Sequence, residues 1–222
     1  MSPASPVALP RDVVDAAVSA ERRRLADHVA ALTDTQLATR SLCTEWTVRD
    51  VLAHLTTTTR LSVPMIAAAA IRARGSFDRM EVDLAARRAA AFTTDQLVAQ
   101  LRESAESSRR FPGSAPMDPL MDLVIHGQDI SRPLGVPYGS PPAVVTASLD
   151  HVAGNKLMGG PKRLAGVRLM STDSAWTRGD GAEVRGADVD LLLVASGRAA
   201  GLAGLEGPGV EVLAARLGVT PS

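Results

Sequence analysis

Residues 118–135 read DPLMDLVIHGQDISRPLG. Asp118 followed by Pro119 is a favoured helix opening, the acid as cap and the proline as first helical residue. Leu120, Met121, Leu123, Val124 and Ile125 make the body apolar on most of its circumference, and Pro133 and Gly135 end it. A helix this apolar must be surrounded by others, so the segment predicts a helical bundle with this helix inside it. Asp122 and His126 then stand out. At i and i+4 they project from one face, a turn apart, and a buried carboxylate needs a partner.

Working outward, the spacing of Val13, Val14, Ala17, Leu25, Val29 and Leu32 predicts a helix over residues 11–32. Thr47-Val-Arg-Asp50 has the form of a capping box and should open a second helix. That helix is expected to run on through His54 to about Gly75, bending at Pro64. A softer helical run (residues 81–90) precedes a segment starting near Thr93 or Thr94 and ending before Pro112. A further helix is expected from Pro142 to about Met158. After Gly159-Gly160-Pro161 the texture changes: Val167–Met170 alternates like a strand, Trp176–Arg185 looks like a hairpin turning at Gly179-Asp180-Gly181, and helices follow over residues 188–196 and 210–217. The fold class expected is α+β: a loose terminus over residues 1–10, an antiparallel helical bundle over 11–159 and a small α/β domain over 160–222.

Composition limits the function. Of the 222 residues 24 are Lys or Arg and 24 are Asp or Glu, so the formal net charge is zero and no basic stripe favours nucleic acid or an anionic membrane. The single cysteine, Cys43, rules out an internal disulfide and a cysteine-cluster metal site. No basic region followed by an apolar run marks a signal peptide, and the apolar stretch 63–71 is too short to span a bilayer. A cytoplasmic protein, monomer or homodimer, acting on a small molecule is expected.

Of the four histidines, His28 and His151 sit on polar faces expected to be exposed. His54 sits in Val51-Leu52-Ala53-His54-Leu55, an apolar setting on a different helix from His126. Two imidazoles and one carboxylate suit zinc with a coordination position left open, although ferrous iron or nickel would accept the same set. Spacing alone leaves open a hydrogen-bonded Asp–His pair and a packed histidine, the commoner readings of such residues.

Two stretches carry a resemblance. CTEWTVRDVLAHL (43–55) is similar to the C-x-x-W-T/S-V-R-D-V-x-A-H-L signature of the mycothiol-dependent maleylpyruvate isomerase family, one of the DinB-like metal-binding bundles. DLVIHGQDI (122–130), followed by RPLG (132–135), resembles that family's E-x-x-x-H-G-x-D-I…P-L-G segment. Less specifically, residues 188–198 and 205–210 look like its sterol-carrier-like C-terminal domain. The resemblance implies a divalent metal, zinc, held by His54, Asp122 and His126, and Asp129 orienting a ligating imidazole through its remaining N–H. It also implies mycothiol as thiol cosubstrate and cis–trans isomerisation of a small conjugated acid. Transfer of the thiol onto electrophiles shares the same first step, and a non-enzymatic metal- or ligand-binding regulator is a third possibility.

A dicarboxylate substrate calls for a guanidinium. Arg198 is the expected catalytic candidate, with capping of a helix C-terminus as its alternative. Trp46 is expected to pack at the helix entrance, Arg49 to pair with a carboxylate, and Cys43 to be a buried structural thiol. The chain departs from the family pattern in having Asp122 in place of Glu and Gln128 in place of Trp.

Overall fold

The structure, a computed structural model, describes residues 9–111 and 113–219. Most of the loose terminus expected over residues 1–10 therefore lies outside the described residues. The chain divides into two compact units, Arg11–Gly139 and a second one from Ser140 onward.

The first unit is helical: α1 (Arg11–Ala30), α2 (Asp34–Leu37), α3 (Val48–Leu55), α4 (Val63–Arg72), α5 (Phe77–Ala91), α6 (Thr94–Glu103) and α7 (Asp118–Leu134). Helix α1 packs on α6 and α7, and α3 packs on α5, α6 and α7. Leu25, Leu52, Leu97, Leu101, Leu120 and Ile130 are fully buried between them. Burial of a leucine side chain contributes about 1.5–3 kcal/mol, so this layer is a large part of what holds the bundle.

The capping box at Thr47 and Asp50 forms as expected, each side chain meeting the other residue's backbone N–H. The helix it opens is much shorter than expected. The Thr56 and Thr57 hydroxyls donate to the carbonyls of Ala53 (2.7 Å) and His54 (2.6 Å), competing with the helical ladder. Pro64 then fits only near the start of a new helix, α4. His54 is thus left in the last turn of a short helix, which is fastened to α5 by Arg88 donating to Thr56 Oγ1 (2.9 Å). Helix α7 begins at Asp118 and ends on Gly135 in the left-handed region (φ 62°), with Pro133 absorbed in its last turn. Gly127, beside His126, has no room for a side chain because the Tyr138 ring lies against it.

The second unit contains α8 (Pro142–Gly154), α9 (Gly160–Arg163), α10 (Asp188–Ala195) and α11 (Val210–Leu217). Its four-stranded sheet is built from β1 (Val167–Ser171), β2 (Thr177–Arg178), β3 (Ala182–Gly186) and β4 (Leu205–Glu206), in the order β2-β1-β3-β4. The junction falls at residues 139–140 rather than near 159, because α8 packs on the apolar helix α10, whose Leu191–Ala195 are fully buried. The expected hairpin is also different. β2 pairs antiparallel with β1, and β3 pairs parallel with the other edge of β1. Gly179 and Gly181 (φ 87° and 126°) carry the chain past the backbone of Gly166 and Val167, where a Cβ would collide. No helix among the described residues is long and apolar enough to cross a membrane.

Candidate metal centre

Within the helical unit α3 supplies His54 and α7 supplies Asp122, His126 and Asp129. The two imidazoles stand edge to face with centroids 4.9 Å apart, and both present Nε2 to the carboxylate between them. His126 Nε2 lies 3.3 Å from Asp122 Oδ1, and His54 Nε2 lies 3.6 Å from Asp122 Oδ2. The three ligand atoms are all within 4.8 Å of one another. Good hydrogen bonds between such groups are about 2.7–3.2 Å. Tetrahedral ligands at about 2.05 Å from zinc would be separated by about 3.3 Å. The spacing, two imidazole nitrogens and one carboxylate fit a divalent cation.

The far nitrogens face carboxylates too. His126 Nδ1 is 2.8 Å from Asp129 Oδ2, and Asp129 is completely buried. Cys43 donates its thiol hydrogen to the same oxygen (3.2 Å), with its sulfur 4.0 Å from His126 Nδ1. Asp129 is thus held by two neighbours and orients the His126 ring so that Nε2 faces Asp122. His54 Nδ1 is 2.9 Å from Glu81 Oε2 on α5 but off the line of a good hydrogen bond, so that contact is chiefly electrostatic. Trp46, 8% exposed, stacks near both imidazoles at 4.8 and 5.9 Å. The Asp122 side chain is 30% exposed against 12% for His54 and 7% for His126, so the site opens to solvent on the carboxylate side.

Charge is balanced in favour of protonated rings. Burial works against the His126 imidazolium, but Asp122, then Asp129 and Cys43, outweigh it and hold its pKa well above the usual value. His54 is raised in the same way by Asp122 and Glu81 against its burial. For Asp122 burial opposes the charge, while His126 and His54 together keep it well below the ordinary carboxylate range. A cation bound here would replace those protons.

His54, Asp122, His126 and Asp129, read from widely separated parts of the sequence, are therefore brought together. Cys43 is half-buried rather than buried and forms a second possible ligand group with His126 and Asp129. Arg198 lies in the other unit, where its Nη1 donates to the Ser196 carbonyl (2.9 Å) at the end of α10. Arg49 donates to the Phe92 carbonyl (2.8 Å) instead of a carboxylate. His28 is half-buried, not exposed, and meets Ser131 Oγ at 2.8 Å; His151 is also half-buried. Glu81 was not anticipated. Its signal is present, since it shares a helix face with the buried Leu84 and Ala85.

Replacing Asp129 by Asn removes the charge behind His126 while preserving shape. Asp129→Asn is expected to weaken divalent metal binding about 10–100-fold, measured by competition with a chromophoric chelator. Unchanged affinity would show that Asp129 has no orienting role.

Comparison with known proteins follows the same lines. The family described as the mycothiol maleylpyruvate isomerase N-terminal domain matches residues 18–131, just over half of the chain. Among solved structures, the chain resembles the mycothiol-dependent maleylpyruvate isomerase with 15% identity and a TM-score of 0.61, covering 91% of this chain and 95% of that one. A histidine-to-alanine mutant of that isomerase matches over the same shares at 14% identity and a TM-score of 0.62. No curated protein matches the chain.

Proposed function

Because the chain belongs to the mycothiol maleylpyruvate isomerase N-terminal domain family, we propose that it is a metal- and mycothiol-dependent enzyme isomerising a small conjugated acid. The observation that carries the reading is the pair of Nε2 atoms converging on Asp122, each imidazole backed by a second carboxylate. His54, Asp122 and His126 would hold a divalent metal, zinc by donor type, which keeps a thiol deprotonated near neutral pH, where a free thiol of pKa about 8.5 is mostly protonated.

The residues do the rest. Asp129 and Glu81 fix the two rings, and Trp46 covers their flank against water. The exposed side of Asp122 is where thiol and acid would enter. In isomerisation the sulfur adds to one carbon of the cis double bond, the new single bond turns, and elimination restores the thiol and a trans double bond.

The test is conversion of maleylpyruvate to its trans isomer by metal-loaded protein with and without mycothiol. The reading expects turnover that needs both metal and thiol and leaves the thiol concentration unchanged. Consumption of thiol by an alkylating substrate, with no isomerisation, would replace it by thiol transfer. Metal binding without either reaction would leave a binding protein.

A further inference from the structure

Arg22, on α1, is 4% exposed, and among the described residues its guanidinium donates from Nη1 to the carbonyls of Ser104 (2.6 Å) and Ser107 (2.8 Å). Among the described residues no carboxylate forms an ion pair with it. A buried guanidinium without an ion-pair partner is costly, and the charge of Asp122 offsets part of that cost. Burial accordingly lowers its pKa, against the pull of the Asp122 charge. Arg22 lines a cavity of about 280 Å³ between α1, the segment after α6 and the start of α7. Arg109 and Arg110 line the same cavity, and Arg110 Nη1 is buried with no hydrogen-bond partner.

The two acids on the lining are already paired elsewhere: Asp15 with Arg11 (3.7 Å) and Glu106 with Arg23. Three arginines therefore line one small space whose two acids pair with other guanidinium groups, and of the three Arg109 is exposed and donates to the Leu61 carbonyl (3.4 Å). Pro119, also on its wall, lies one helical turn before Asp122 on α7. The cavity thus adjoins the metal centre without including its ligands.

We propose that this cavity is an anion seat, in which Arg22 and Arg110 take a carboxylate of the small acid. The proposal rests on the preceding reading for the identity of the acid. The seat itself stands on the unpaired buried charge, the orphaned Nη1 and the cavity. Forked N–H donors match the two oxygens of a carboxylate, and the volume admits a small acid but little more.

The test is titration of chelator-treated, metal-free protein with maleate by calorimetry, with no thiol present, so that failure of the metal reading leaves it intact. Saturable binding is expected. It should weaken about tenfold or more in Arg110→Gln, which removes a half-buried fork, and in Arg22→Lys, which keeps the charge and loses the fork. Arg102→Gln, on the exposed face of α6, should bind as the parent does. Circular dichroism and melting establish that each variant is folded. Absence of saturable binding, parent-like affinity in either cavity variant, or sulfate binding as tightly as maleate would overturn the assignment. Intact maleate binding in a protein that takes up no metal would instead count against the metal centre alone.

Discussion

His126→Ala is expected to bring bound divalent metal from about one ion per chain to almost none. Thiol-dependent turnover should fall by at least about 10³, equivalent to roughly 4 kcal/mol of transition-state stabilisation. The ring faces Asp122 through Nε2 and is gripped from behind by Asp129 at 2.8 Å. Without it the set drops to one imidazole and one carboxylate, too few to hold an ion against water. The fold should survive. Asp129 keeps the Cys43 thiol as donor and Asp122 keeps His54, so the loss is that of the ring's contacts to two carboxylates, about 1–3 kcal/mol each. His54→Ala should behave alike. Cys43→Ser should retain its metal, since the proposed ligands do not include the sulfur; loss of metal there would move the ion to the group formed by Cys43, His126 and Asp129. Metal analysis by mass spectrometry, with circular dichroism for the fold, decides among these.

Chelation should lower the melting temperature of the helical unit, and the drop should grow with pH. At free metal about 1,000 times Kd, binding adds about 4 kcal/mol, roughly 10 °C for a chain of this size. The sign of the pH dependence follows from the site. In the metal-free protein His126 and His54 have raised pKa values, so their pairing with Asp122 stabilises fully below the unfolded value of about 6.5 and is lost as pH rises through the folded values. Asp122 acts oppositely: its lowered pKa gives stability above the ordinary carboxylate range that is lost as pH falls toward the folded value. Metal binding needs both imidazoles neutral and so strengthens as pH rises. Between pH 6 and 8 the metal-free protein should weaken while the loaded one gains, and scanning calorimetry with and without chelator should show the gap widening. A gap that narrows over that range would mean the ion is not displacing protons from these rings.

The legibility of the site in the sequence was uneven, for physical reasons. Asp122 and His126 could be paired because helical periodicity fixes a four-residue spacing on one face. His54 could not be placed beside them by any local rule; its apolar setting made it a candidate, the family resemblance strengthened it, and its convergence depends on how α3 packs on α7. Glu81 was hidden in a run that reads as an ordinary charged helix. Arg22 was masked in the same way, since nothing local separates it from the exposed Arg23 beside it. Among element boundaries, the single helix expected past His54 failed because four consecutive threonines can bond back to the preceding turn, two of which do so. The domain junction failed because α8 is apolar enough for either unit and goes to α10. The capping box at Thr47, the glycine end of α7 and the helical and mixed α/β halves were all carried by local chemistry, and these agree with the structure.

The most direct measurement is X-ray absorption at the metal edge of the zinc-loaded protein, before and after adding mycothiol. Two imidazoles and one carboxylate at about 2.0–2.2 Å, with only light atoms at first and then one sulfur at about 2.3 Å, is the result expected. A sulfur present before any thiol is added, or a spectrum that thiol leaves unchanged, would contradict it.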